Sequence, residues 1–372
     1  MTDPQSRRRI TELDAMVGLL SEPERARFER IFHLSTAWGR VVPPEGMVPW
    51  LRDHFGSAEA VRRQRIVKLT NRITLEGTLF NELRASRPIE APSSGDDRFE
   101  EVIRSSEGGP FCQPMEGTPE DMFGRVRGQT CITASNVAKF DGWHSVIISD
   151  EHHPLRFDAA HVADYVDTAQ EWARRVHAMD PEACYPLFIW NCLWRSGASI
   201  LHGHAQMAVT RGMHYAKVES GRRAAERYQE DYGASYFADL IATHRSVGLA
   251  LDLGEAAILP SLTPFKEMET HIIAPAVSGD LKAALNHVLD RFVSRLGVQS
   301  FNLALYLPPL GDTTEKWAGY PVIARLLDRG DLSSKTSDVG AMEIFAQSVV
   351  SSDPFRVADA LSGSLPLANK SR

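Results

Sequence analysis

Residues 161–176, HVADYVDTAQEWARRV, set Val162, Tyr165, Val166, Ala169, Ala173 and Val176 at steps of three and four. That spacing gives a helix one apolar face. A second segment, DLKAALNHVLDRFVSRLG, repeats the pattern with Leu281, Ala284, Leu285, Val288, Leu289, Phe292, Val293 and Leu296, and Gly297 supplies a stop. Each helix has the same surroundings. HSVIISDEH (144–152) reads as a strand before the first, and YPLFIWNCL and LHGHAQMAV read as two strands after it. ETHIIAPAV (269–277) precedes the second, with SFNLALYLPP and GYPVIARLL behind it. Strand, helix, strand, strand thus occurs twice, which predicts a duplicated α+β unit with antiparallel sheets and packed helices.

Ahead of the first unit, ITELDAMVGLL and EPERARFERIF carry helical spacing up to a break at Pro43 and Pro44, so residues 1–66 read as a helical N-terminal extension. RIVKLTNRITLEGTLFNEL then alternates as strands do, and SRPIEAPSSGDDRF reads as a loop. The expected division is 1–66, a first and catalytic unit over 67–225, and a second over 226–372. Near the end, Asp353 can cap a helix that has Pro354 in its first turn.

Composition narrows the class. A hydrophobic fraction of 43% with 24% charged residues is that of a globular chain, and no apolar run is long enough to span a bilayer. The N-terminus has basic residues with no apolar segment behind them, so a cytoplasmic protein is expected. A net charge of −7 argues against broad nucleic-acid binding but leaves room for a small anionic ligand met by local arginines. Cys112, Cys131, Cys184 and Cys192 form no CxxC pair, which suggests reduced thiols.

The candidate chemistry lies in SGASILHGHAQMAV (196–209). In a strand, His202, His204 and Gln206 project to one side, with Leu201, Gly203, Ala205 and Met207 on the other. Three readings stand open. The histidines can be hydrogen-bonded core residues. They can ligate zinc, with His152, His153 and Cys112 as the other donors in reach. Or a neutral imidazole can attack phosphorus and hold the group as a phosphoramidate, with backbone N–H groups of SGAS and the Gln206 amide on the phosphate oxygens. Only the first unit has HGH where the second has YPVIAR, so one chemical centre per chain follows.

Asn191, Ser199, His202, His204 and Gln206 together resemble the active-site strand of the galactose-1-phosphate uridylyltransferase family, the transferase branch of the histidine-triad superfamily with His-x-His-x-Gln. The resemblance runs through most of residues 70–363. It implies a duplicated histidine-triad-like fold and a ping-pong nucleotidyltransferase, with His204 as nucleophile on the α-phosphate. It further implies that Gln206 binds the transferred group, that His202 orients the site or ligates zinc, and that Asn191, Ser196, Gly197 and Ser199 position phosphate oxygens. NELRASRP resembles the segment whose arginines, here Arg84 and Arg87, approach the nucleotide phosphates. ITASNVAKF places Asn136 near the ribose or base, VIISDEH ends in a metal-binding histidine, here His152, and Glu343 falls in the segment that meets the sugar.

The family's paired cysteines are absent, so no cofactor is required and no metal ligand is assigned, although zinc fits the chemistry. Its second metal motif reads Trp317, Ala318, Gly319, Tyr320, and its VGYE element reads Val339, Gly340, Ala341, Met342, Glu343, so galactose specificity does not follow. The expected partners are a nucleotide or nucleotide sugar and a phosphorylated acceptor, without nucleic acid or membrane, and by analogy a second copy of the chain. Diadenosine tetraphosphate phosphorylases and plant GDP-galactose phosphorylases resemble the same strand and stand as alternatives. A non-catalytic nucleotide-binding regulator is the alternative from another class.

Overall fold

The two long amphipathic segments fold as the helices Ala159–Met179 and Gly279–Ser294, capped by Asp158 and Ser278 through bonds from Ala160, His161 and Leu281 N–H. Their predicted apolar faces are buried except for the half-buried Val293 and Leu296 at the end of the second, and Trp172 joins the first. Each fully buried aliphatic side chain there contributes about 1.5–3 kcal/mol of burial. Gly297 takes φ 69° just past the second helix, a conformation that glycine adopts without steric cost. This computed structural model describes residues 8–86 and 98–363.

Both helices cover one face of a nine-stranded sheet. Its first half is β4 (Cys131–Ser135), β5 (Trp143–Ser149), β6 (Ala183–Cys192) and β7 (His204–Arg211). Its second half is β8 (Leu251–Leu253), β9 (Ala256–Pro260), β10 (Thr270–Ala274), β11 (Phe301–Tyr306) and β12 (Val322–Asp328). The order β4-β5-β7-β6-β11-β12-β10-β9-β8 makes the duplication visible. In each unit the last strand inserts between the two that flank the helix, β7 between β5 and β6, β12 between β10 and β11. The units join where β6 and β11 pair antiparallel, Asn191 opposite Asn302.

A smaller sheet holds β1 (Phe32–Arg40), β2 (Arg63–Asn71), β3 (Gly77–Phe80) and β13 (Ser348–Val350) in the order β1-β2-β3-β13. Here the helical reading of the N-terminal extension needs correction. Helices occupy Leu13–Gly18, Glu22–Ile31, Val48–Phe55 and Ala58–Arg62, but residues 32–40 form a full strand paired with β2. β1 is largely exposed, so it lacks the apolar alternation by which a strand announces itself, and its pairing is decided by β2. Asp353 caps the last helix, Pro354–Ser362, by accepting Phe355 N–H, and also accepts Ile10 N–H, tying the chain's two ends together.

The second face of the large sheet is covered unequally. Over its second half, Leu259, Ile273 and Ile323 pack with Phe28, Leu69, Phe80 and Leu240 from the N-terminal helices, the small sheet and the helix Tyr236–Ser246. Over its first half, among the described residues, a smaller cluster joins Phe111 and the half-buried Ile200 to Ile132, Ala134, Val146 and Ile148.

Candidate active site

Ala205, Met207 and Val209 of β7 enter the helix-side core, so His204 and Gln206 face the other way. The β-structure starts at His204, and His202 lies in the bend before it. The expected single stripe is therefore split. Gly203 is the reason: its N–H donates to His152 O and its carbonyl accepts Ser149 N–H, both at 2.9 Å, and a Cβ there would stand 3.0 Å from Glu151 O. The missing side chain lets the 149–154 turn lie close on the chain, and at this turn the His202 ring meets His152.

His204 is buried with one ring nitrogen engaged. Its Nδ1 donates to the carbonyl of His202 at 2.8 Å, which leaves the lone pair on Nε2. Burial pushes its pKa below the ordinary 6.5, so the neutral, nucleophilic imidazole prevails at neutral pH. Phe111 stands edge-on to this ring at 5.3 Å.

Amides flank the histidine. His144 Nδ1 accepts Phe140 N–H at 3.3 Å, so its Nε2 carries the proton and donates to Gln206 Oε1 at 3.0 Å, with Asn136 Nδ2 3.2 Å from the same nitrogen. Burial lowers the His144 pKa as well, which favours this neutral form. On β6, Asn191 Oδ1 accepts Asn302 Nδ2 at 2.7 Å. Ile189 pairs with Gln206 at the end of that ladder, and Asn191, two residues further along β6, falls on the same face of the strand. Both amide oxygens are thus tied to protein donors, and the NH₂ ends are what remains for a ligand. Two donors beside an imidazole lone pair suit a phosphoryl group.

The SGAS turn differs from the expected nest. Ser196 N–H and Ala198 N–H donate to Leu193 O, Gly197 N–H donates to Trp194 O, and Ser196 Oγ donates to Leu193 O. These groups hold a tight turn in which Leu193 takes φ 68°, a strained value for a leucine, and Gly197 takes φ 95°. Backbone N–H groups 199–201, beginning at the exposed Ser199, have no protein acceptor among the described residues.

His202 joins a separate cluster. Its Nε2 donates to Ser149 O at 2.8 Å, and His152 Nε2 donates to Ile103 O at 3.0 Å, so both rings present bare Nδ1 atoms, 3.0 Å apart. Cys112 Sγ lies 3.4 Å from each. Lone pairs facing one another at this distance need a cation or proton between them. Tetrahedral zinc would space its nitrogens about 3.3 Å and its nitrogen and sulfur about 3.6 Å, close to what is found. The two carbonyls fix the tautomers, as outer-shell partners do in zinc sites. Cys112, His152 and His202 (a buried or half-buried trio) thus fit such an ion, and among the described residues the cluster holds these three donors. His153 is elsewhere, accepting Leu155 N–H and lying 3.3 Å from Glu100.

No protein-family model matches the sequence, and no curated protein matches it by sequence. Solved structures do match. An ADP-glucose phosphorylase from Arabidopsis thaliana with bound ADP-glucose is similar at 16% identity and TM-score 0.61, over 80% of this chain and 98% of that one. A GalT-like protein from the same organism matches at 18% identity and TM-score 0.57, over 70% and 93%. A uridylyltransferase matches at 15% identity and TM-score 0.55, over 80% and 99%. This chain has their fold.

Within that GalT-like fold, the remaining candidates gather in a second cleft of about 490 Å³, lined by Arg84 and Glu343 with Arg195, Lys266 and Arg329. Arg87 lies outside the described residues. Glu343 accepts Gly340 N–H at 2.8 Å at the start of its short helix. Asn302 connects this cleft to the turn before His204. Its Nδ2 also donates to Ser196 O at 2.9 Å, and its Oδ1 accepts Arg329 Nη1 at 2.7 Å, while Arg329 holds Asp338 through two bonds of 2.7 and 2.9 Å.

Sequence reading missed Asn302, Arg329 and His144. A polar residue in the apolar run FNLALY was the one available signal for Asn302. Arg329 and His144 stood in segments with no local mark, since their partners are distant in sequence. Among the described residues, no helix is long and apolar enough to cross a membrane.

Proposed function

We propose that the protein is a nucleotidyltransferase that works through a nucleotidyl-histidine at His204. The observation that carries this reading is the His204 Nε2 lone pair, set by the His202 carbonyl, beside two amides whose oxygens are already bound. His204 Nε2 attacks the α-phosphorus of a nucleoside diphosphate sugar. A P–N bond forms, the bond from phosphorus to the bridging oxygen breaks, and sugar 1-phosphate leaves with that oxygen and its electron pair. An oxygen of phosphate or of a second sugar phosphate then attacks from the vacated side and breaks the P–N bond, which restores neutral His204. Gln206, Asn191 and the free N–H groups after Ser199 hold the oxygens that gain charge.

Support for a nucleotide sugar comes from the fold shared with an ADP-glucose phosphorylase crystallised with ADP-glucose. Arg84 and Glu343 line one cleft with Arg329 and Lys266, and this reading assigns that cleft to the sugar phosphate. Zinc in the Cys112, His152, His202 cluster would bind as a structural ion that stiffens the turn carrying the His202 carbonyl, and the chemistry at phosphorus stays with His204.

The test is covalent capture. The full chain is incubated with ADP-glucose and UDP-glucose labelled at the α-phosphate, then assayed for an acid-labile, base-stable adduct. Adduct formation, its release on adding phosphate or a sugar 1-phosphate, and its loss in His204→Ala are the expected results. Absence of an adduct with either donor, or an adduct that survives His204→Ala, would overturn the mechanism.

A further inference from the structure

The same face of the sheet carries a second cavity, in the other half. There β10, β12 and β11, the counterparts of β5, β7 and β6, turn His271, Arg325 and Tyr306 outward beneath the helices Ala216–Tyr232 and Tyr236–Ser246. They floor a space of about 360 Å³, within the range of small-molecule sites. Five aromatic rings wall it: Tyr236, Phe237, Phe265, Tyr306 and Tyr320. Lys217 stands at the rim, its Nζ 5.0 Å from the centre of the Phe265 ring.

The floor is rich in acceptors. Arg325 bonds Glu269 at 2.7 Å and Glu76 at 2.6 Å, so one guanidinium faces two carboxylates. Glu269 is fully enclosed, but Glu76 is about one-third exposed, and its second oxygen has only a long 3.5 Å contact from Thr74 Oγ1. His271 bonds Glu269 through Nε2 at 3.2 Å, and its Nδ1 has no protein partner among the described residues. Glu76 Oε2 and His271 Nδ1 therefore await donors. Rings to stack between and acceptors at the base select a flat ligand with N–H groups on its edge.

We propose that this cavity is a second, non-catalytic binding site for a small planar heteroaromatic molecule bearing an exocyclic amino group, the chemistry of an amino-substituted nucleobase or nucleoside. Stacking comes from the aromatic walls and edge recognition from Glu76 and His271. β12 has Ile323 and Arg325 on this face in place of the histidine and glutamine of β7, so the imidazole and amide pair of β7 has no equivalent on β12. This inference stands on the cavity and is independent of covalent transfer at His204.

Adenosine and inosine test it, because they differ at the position where one has an amine and the other a carbonyl. Binding to the full chain is measured by calorimetry and by saturation-transfer NMR, in the wild type, in Ser220→Trp, which fills the rim from an exposed helical position, and in Glu76→Gln. A melting curve for each variant reports its fold. Expected are adenosine binding at least about tenfold tighter than inosine, loss of that binding in Ser220→Trp, and weakening of about tenfold in Glu76→Gln. Absence of adenosine binding, equal binding of inosine, or adenosine binding unchanged in Ser220→Trp would overturn the proposal. His204 labelling read on the same samples fails or succeeds separately, so the two readings cannot be confused.

Discussion

On one face of one sheet, β7 carries His204 and Gln206 while its counterpart β12 carries Ile323 and Arg325. Both halves are polar here, but their polarity is arranged differently. Around His204 the partners consume one end of each group, leaving the imidazole lone pair and two NH₂ groups. Around Arg325 the charges consume one another, guanidinium against two carboxylates, under a thick cover of the N-terminal helices and the small sheet. Reactivity requires polar groups that are held yet incomplete, whereas stability requires them complete. Duplication supplied two copies of a surface, and the partners around each decided what stays unfinished: an imidazole lone pair and two NH₂ groups in one, and the outer acceptors of a charge cluster, Glu76 Oε2 and His271 Nδ1, in the other.

That contrast can be broken from the stable side first. Replacing Arg325 by Ala leaves Glu269 enclosed without its cation, and the expected loss is about 3–5 kcal/mol in denaturant unfolding. A loss under about 1 kcal/mol would mean that the second half is no more tightly completed than a surface pair.

In the first half, Cys112→Ala removes one of three converging donors and is expected to weaken zinc binding at least about 100-fold. Metal content by mass spectrometry, on protein made in zinc-supplemented medium, checks it. Wild-type protein without zinc, or a variant that retains it, would show that the trio is a hydrogen-bonded cluster instead.

His144→Ala probes whether the tied amide matters. The Gln206 side chain loses its anchor and its NH₂ is no longer aimed, so kcat is expected to fall about 10- to 100-fold with KM little changed. His144→Gln, which keeps a donor, should recover part of the rate. A fall in melting temperature without any change in kcat would reduce His144 to packing.

The smallest effect concerns Glu219, on the helix Ala216–Tyr232 that follows β7. Hydrogen bonds from Arg222, opposed by burial and reinforced by Arg223, hold its carboxyl at about 2, below the usual 4.5. A depressed carboxyl stabilises the fold above its unfolded pKa and ceases to do so as pH drops through the folded value. Its contribution is therefore present above about pH 4.5 and lost toward pH 2. Glu219→Gln should flatten the acid limb of a melting-temperature profile over that window. An identical limb in both proteins would show that the ion pair contributes nothing measurable.

Much of the frame was readable without the fold. The buried faces of Ala159–Met179 and Gly279–Ser294 follow from spacing, because helix burial repeats along the chain itself. The repeated order of strands follows for the same reason, and so does the pairing of His204 with Gln206 on one side of β7. β1 was not readable, since an exposed strand has no alternation to show. Nor was the split of His202 from His204, which depends on how closely the 149–154 turn approaches Gly203. The SGAS nest failed on a similar point: the turn used the N–H groups that the sequence made available.

By itself, the sequence determined which segments are helix or strand in the duplicated core and which residues bring an imidazole and an amide to one strand, because these rest on local periodicity and residue chemistry. Tertiary structure alone decided what each polar group still lacks. Whether Asn191 presents oxygen or nitrogen depends on Asn302, 111 residues away, and whether His202 faces the cleft or Cys112 depends on a turn some 50 residues earlier. Hydrogen-bond capacity belongs to a residue, but the part left free belongs to its neighbours in space.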